Sequence, residues 1–270
     1  MLFRSYAAID ALAQKEKPKL LVSGFTAYSR ILDFKKFGEI ARSVHSYHLA
    51  DISHIAGLVA AGVHPPPFPH ADVVTMTTHK TLRGPRGAMI FSRKKPSEGK
   101  GGEKLLTELI DRAVFPGLQG GPHDNTTAAI ALMCKEAMQP AFRTYAQRIV
   151  ANAKALSTAL QKEGFHIITG GTDNHLLLLD TRGTGLTGME AQDALEKNNI
   201  LANRNSLPWD DKPFRPSGLR LGTPAMTSRG FREPQMRIIA QFFRRVLVNK
   251  ENVKKEVATL CAKYPLPYRF

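Results

Sequence analysis

Short apolar runs of strand length, separated by helical periodicity and ending on polar residues, set the frame for this chain. KLLVSGF (residues 19–25) is nearly continuous in apolar character and is bounded by Pro18 and Gly24, as a buried strand would be. Next comes a helical pattern: Asp33 is placed as an N-cap, and Phe34, Phe37, Ile40, Ala41 and Val44 recur at three- and four-residue spacing, which gives one apolar face. YHLADISH supplies a second strand ending at Asp51, ADVVTMTTH (residues 71–79) a third and GAMIFSR (residues 87–93) a fourth. Strand, helix, strand is the grammar of a wound α/β sheet, in which ligands collect beyond the carboxyl ends of the strands.

One lysine stands at such an end. Lys80 lies in TMTTHKTLRGPRG (residues 75–87), between a β-like run and a turn punctuated by Gly84, Pro85 and Gly87. Desolvation at the end of a buried strand disfavours an ammonium and frees the amine for carbonyl chemistry, so Lys80 is a candidate nucleophile. A solvated lysine in a basic turn is the plainer reading of the same residues. Asp51 and His54 follow the second strand, and Arg220 lies between Leu219 and Leu221 in an apolar extended run. A guanidinium there calls for an anionic partner, whether a structural carboxylate or a ligand. Gly120 and Gly121, in FPGLQGGPHDN, leave backbone N–H groups open to a phosphate. A lysine, an acid, an arginine and a glycine pair suit a lysine-anchored, phosphate-bearing cofactor with an amino-acid substrate, and suit other ligands too.

The second half is marked by its longest periodic segment, residues 142–164, where Phe142, Tyr145, Ile149, Ala153, Leu156 and Leu160 share a face and Gly164 is a stop. It joins a unit over residues 1–138 to one over 139–270. Strands follow at FHIIT and HLLLLDT, then a capping box of Thr187 with Glu190, extended runs at ILANRN and GLRLGTP, and a helix from Glu233 that breaks near Asn249. Residues 94–102, rich in Lys, Gly and Ser, read as an exposed loop.

With 270 residues, 43% of them hydrophobic, the chain can bury a substantial core. No apolar run is long enough to cross a bilayer. Two cysteines, Cys134 and Cys261, form neither a disulfide framework nor a metal-ligand spacing, and both read as core residues. The formal charge of +15 invites a nucleic-acid reading, but the cations are dispersed and no interleaved aromatics accompany them. A field that attracts small anions explains the charge more simply. MLFRSYAAIDALAQ is a poor transit or signal peptide because of Asp10 and its brief apolar stretch, so cytoplasm and mitochondrion both remain open.

VVTMTTHKTLRGPRG resembles the cofactor-lysine motif of the serine hydroxymethyltransferase family, and KPKLLVSGFTAYSR, HLADISHIAGLVAAG, FPGLQGGP, GGTDNHLLLLD, PSGLRLGTPAMTSRGF and the closing PLPYRF match in order. YSR, the loop before AVFPGLQGGP and the tail bring the resemblance nearer to the eukaryotic form. It implies the fold of pyridoxal-phosphate enzymes of fold type I, with an incomplete large domain and a smaller carboxyl-terminal α/β domain. It implies transfer of a one-carbon unit between serine and tetrahydrofolate, yielding glycine, with pyridoxal 5'-phosphate as cofactor, in a homodimer or homotetramer. Lys80 would hold the cofactor covalently, His79 would help shape the site and Thr77 would lie beside the reacting carbons. Asp51 would pair with the pyridine nitrogen, and His54 and Thr26 would meet the phenolic oxygen. Gly120 and Gly121 would approach the cofactor phosphate of a partner subunit, and Arg86 would order the neighbouring site. Arg220 would take the substrate carboxylate and Asn205 the pterin.

Met76 and Ala88 depart tolerably from the family's commoner Thr and Gly. The larger departure is the start, where the family has a long portion that carries the main phosphate loop, the ring-stacking aromatic and the folate-facing leucines. A sheet without it would expose an edge and an apolar face, and activity of the chain by itself is left open. The alternatives are a non-catalytic fragment that binds full-length subunits or anionic partners, and a threonine-aldolase-like enzyme, against which Asn205 weighs.

Overall fold

The computed structural model describes residues 5–96, 104–212 and 214–267. These fall into two compact units. One holds the stretch up to Phe25 together with Leu32–Gln139; the other holds Thr26–Ile31 together with the chain from Pro140 onward.

The first unit opens on helix α1 (Tyr6–Glu16), N-capped by Ser5. Part of the N-terminal stretch judged a poor leader is thus helix, and residues 1–4 lie outside the described ones. Strands β1 (Leu20–Ser23), β2 (Tyr47–Asp51), β3 (Val73–Thr77) and β4 (Ala88–Ser92) form one sheet in that order. The first three are parallel and β4 is antiparallel to β3. Helix α2 (Phe34–Ser43) is capped by Asp33, whose carboxylate accepts the Lys36 N–H at 3.1 Å. Phe34, Phe37, Ile40 and Ala41 of the predicted apolar face are buried, whereas Val44 is the half-buried C-cap, and each large side chain so buried contributes about 1.5–3 kcal/mol. The small-residue stretch after β2 is a short helix, α3 (Ala56–Ala60). Helices α4 (Leu106–Val114) and α5 (Asp124–Ala137) complete the unit. The loop expected over residues 94–102 falls largely outside the described residues.

Strand periodicity assigns one face of this sheet to Leu21, Ser23, His48, Ala50, Val74 and Met76, all buried. The other carries Leu20, Val22 and Ile90, which are exposed. Among the described residues β1 is hydrogen-bonded on one side only, so the exposed edge and apolar face expected from the sequence are both present.

The second unit is built on α6 (Pro140–Lys162). Phe142, Ile149, Ala153, Leu156 and Leu160 are buried along it as their spacing predicts, and Gly164 ends it at φ 89°. Tyr145 is half-buried, its hydroxyl 3.0 Å from Ser228 Oγ. Strands β5 (His166–Ile167), β6 (Leu176–Asp180), β7 (Asn203–Asn205) and β8 (Gly218–Gly222) form a sheet ordered β5-β6-β8-β7. Strand β5 is shorter than FHIIT suggested because Thr169 turns to φ 66°. Every residue of β6 is buried. Leu177 and Leu179 enter the main core, whereas Leu178 joins Ile168 and Leu207 on the opposite face. Helix α7 (Gly188–Glu196) has the predicted capping box, with Glu190 reaching back to the Thr187 N–H at 2.8 Å. The chain closes with α8 (Pro224–Ser228), α9 (Glu233–Leu247) and α10 (Lys254–Lys263), the break between the last two falling where the sequence placed it. Cys134 and Cys261 are free thiols, each half-buried, and Cys261 packs against the core of the second unit. Among the described residues no helix is long and apolar enough to cross a membrane.

Candidate functional site

Parallel pairing brings the carboxyl ends of β2 and β3 side by side. Asp51 is in register with Thr75, and the chain leaving β3 reaches Lys80 just beyond. Asp51 Oδ1 accepts the Ser53 N–H at 2.8 Å, an Asx turn that fixes the carboxylate through one oxygen. Ser53 then ties the two strand ends together: its hydroxyl accepts the Thr77 N–H at 3.2 Å, and its carbonyl accepts the Thr77 hydroxyl at 3.4 Å. The D-x-S spacing could have signalled Ser53, which the sequence reading passed over.

The turn after Lys80 is held at several points. Thr78 is fully buried; it donates N–H to the Gly87 carbonyl at 3.0 Å and its hydroxyl to the Pro85 carbonyl at 2.6 Å. Lys80 accepts the Arg83 N–H at 3.0 Å through its carbonyl. Thr81 donates its hydroxyl to the His54 carbonyl at 3.1 Å, which fixes the backbone at His54. The Nδ1 atom of His79 is buried without a hydrogen-bond partner, an open valence at a strand end where a ligand's polar group would satisfy it.

Gly24 explains how β1 ends beside this group. Its φ is +141°, and a Cβ there would lie 2.2 Å from the Asp51 carbonyl oxygen, so only glycine permits the approach.

Lys80 itself is exposed, so the burial expected from its place at a strand end is not found among the described residues. Arg86 is exposed as well. Gly120 and Gly121 are exposed with open space where a Cβ would be; nothing among the described residues requires glycine at either.

In the second unit, Arg220 is half-buried on β8, paired with Leu178 on one side and Asn203 on the other. Its Nη1 donates to the Thr26 carbonyl at 3.2 Å. Its partner is therefore a neutral carbonyl, and no carboxylate pairs with it among the described residues; the guanidinium keeps N–H donors for an anion. Asn205 ends β7 and donates its side-chain N–H to the Ser206 carbonyl at 2.7 Å. Lys80, Asp51, His54, Thr77 and His79 are thus gathered in one unit, while Arg220, Asn205 and Thr26 belong to the other.

A family model described as serine hydroxymethyltransferase matches residues 3–243. The chain belongs to that family. Among similar proteins, the serine hydroxymethyltransferase of Sorangium cellulosum is 52% identical over 263 residues, 95% of this chain and 60% of the relative. That of Desulfotalea psychrophila is 49% identical over 269 residues, 97% of this chain and 61% of the relative. That of Legionella pneumophila (strain Lens) is 48% identical over 268 residues, 97% of this chain and 62% of the relative. The chain spans about three-fifths of the length of the relatives it matches.

The residues present fit part of a pyridoxal-phosphate site. An accessible primary amine and a fixed carboxylate stand at neighbouring strand ends, with an unpartnered ring nitrogen close in sequence. For the serine hydroxymethyltransferase family, that is the chemistry a lysine-anchored pyridine requires.

Proposed function

We propose that this chain carries the cofactor-lysine portion of a serine hydroxymethyltransferase, acting on serine, glycine and tetrahydrofolate with pyridoxal 5'-phosphate. The observation that supports this most directly is the parallel register that sets Asp51 beside β3, the strand that leads to Lys80. When bound, the cofactor supplies electron withdrawal that lowers the barrier to breaking the serine Cα–Cβ bond.

Lys80 Nζ provides the covalent anchor. It is accessible, so neither entry nor exchange requires the fold to open. The free Asp51 oxygen holds a proton on the pyridine nitrogen, and the Ser53 N–H keeps that carboxylate from rotating away. Thr77 would border the reacting carbons and His79 would shape the site, His54 and Thr26 would take the phenolic oxygen, and Arg86 would help order the neighbouring site. Arg220 holds the substrate carboxylate by charge-assisted hydrogen bonds, and Asn205 meets the pterin. Gly120 and Gly121 serve a partner subunit's phosphate in a homo-oligomer, where their exposed backbone N–H groups are open to an anion.

Titration of the purified chain with pyridoxal 5'-phosphate, followed by visible absorbance, tests the assignment. Uptake is expected in the unaltered chain and is expected to be lost in Lys80→Ala. Equal uptake by both would refute the role of Lys80. Arg220→Ala is expected to weaken serine binding by about tenfold or more while leaving cofactor uptake near that of the unaltered chain, since one charge-assisted pair is removed. Parallel loss of both would remove the carboxylate role.

A further inference from the structure

The unit that carries Lys80 has a second concave site at its opposite pole. Because β4 runs against β1–β3, its outgoing end delivers Arg93 and Lys95 to the amino-terminal ends of the parallel strands, away from Asp51. There they meet Arg42 and His45 from the end of α2, and His70 and Asp72 from the approach to β3, around a cavity of about 300 Å³. We propose that this cavity binds a small phosphate-bearing anion, independently of the cofactor site.

The charge balance carries the argument. Asp72 is the one carboxylate lining the cavity, and both its oxygens are engaged: Lys95 Nζ is 2.8 Å from Oδ1, and the His48 N–H donates to Oδ2 at 2.9 Å. That pairing offsets the Lys95 charge. Arg42 and Arg93 have no carboxylate at ion-pair distance among the described residues. Arg93 is held in place because its Nη2 donates to the carbonyls of Phe68 and Pro69, and its remaining N–H groups are free for a ligand. Arg42 sits in the last turn of α2, where it outweighs the partial negative charge of the helix carboxyl end. Asp72 is shared between Lys95 and, at longer range, Arg93, so three cations face one carboxylate; the net positive concavity raises the local anion concentration, and the forked guanidinium donors match phosphate oxygens. The imidazoles of His45 and His70 add donors at the rim. A cavity of this volume holds a phosphomonoester or diphosphate and is too small for a run of polynucleotide backbone.

Calorimetric titration of the full chain with pyrophosphate, and with inorganic phosphate in parallel, tests the site. Saturable pyrophosphate binding is expected in the unaltered chain and, with the same affinity, in Lys80→Ala. In Arg42→Glu it should weaken by about tenfold or more, the effect of replacing one charge-assisted contact by repulsion. Loss of binding in Lys80→Ala would assign the anion to the cofactor site and overturn the proposal. So would an affinity in Arg42→Glu within about twofold of the unaltered chain. Without any substitution, the imidazole signals of His45 and His70 in nuclear magnetic resonance spectra should shift saturably with pyrophosphate; unmoved signals would overturn the proposal. A single-stranded RNA oligonucleotide that binds more tightly than pyrophosphate and is lost in Arg42→Glu would move the site to nucleic-acid recognition and refute the small-anion assignment.

Discussion

His48 shows how one buried ring links stability to pH. Its Nδ1 lies 3.1 Å from the His70 carbonyl oxygen and its Nε2 2.7 Å from Ser23 Oγ, a pairing that the neutral ring with a proton on Nδ1 satisfies. Burial pushes its pKa below the ordinary imidazole value; Arg42 and the His70 ring add to that, and the His70 carbonyl and Asp72 oppose it. The unfolded chain therefore takes up the proton first. Stability should be full above about pH 6.5 and fall as the pH drops toward the lowered folded value. Thermal unfolding between pH 7.5 and 5.5 checks this: the midpoint of the unaltered chain should fall more than that of His48→Gln, and equal falls would assign the effect to other groups. Nothing in the sequence marked His48, since alternation in YHLAD allows a histidine on either face. The position of Lys80 and Asp51 at strand ends was legible because polar residues stand out there; the exposure of Lys80 was not, because it depends on what covers the sheet.

Helices were read from their periodicity almost to their ends, as α2, α6 and α9 show, because a 3.6-residue repeat over ten or more positions averages out single exceptions. Strand direction was not legible: GAMIFSR reads equally well parallel or antiparallel, and only hydrogen bonding to β3 decides. Within α6, Asn152 was an apparent exception to the apolar face. It is buried and donates to Thr227 Oγ1 at 2.9 Å and to the Phe231 carbonyl at 3.0 Å, tying the helix to the α8–α9 connection. Asn152→Ala should therefore cost about 1–3 kcal/mol by stranding both acceptors. Denaturant unfolding monitored in the second unit would measure it, and a change below about 0.5 kcal/mol, the range of ordinary surface substitutions, would mean that water replaces the amide.

For the molecule as a whole, the open sheet face dominates behaviour in solution. Leu20, Val22 and Ile90 are 47%, 57% and 47% exposed, and β1 offers an unpaired edge beside them, a combination that favours association. Self-association that rises with concentration is expected, together with binding of a hydrophobic dye. Val22→Lys, on the edge strand, should reduce both. Sedimentation at several concentrations distinguishes the outcomes; a monomer at every concentration would show that the face is tolerated by water. The compact units part near Gln139, where the long helix begins, and the transfer of Thr26–Ile31 to the second unit has no sequence signal, because six residues without periodicity carry none. Ser29 and Arg30 make that transfer: Ser29 Oγ is 2.7 Å from Thr169 Oγ1, and Arg30 Nη1 is 3.0 Å from Asp173 Oδ1. The backbone consequently passes from one unit to the other at Phe25, at Ile31 and again at Gln139, so a protease that cuts only at Gln139 leaves both products joined through the first two passages. Expressing residues from Pro140 onward as a separate piece would deprive Thr169, Asp173 and Asn174 of the partners that Thr26–Ile31 supplies, and the unit is divisible only if that short stretch is supplied back to it.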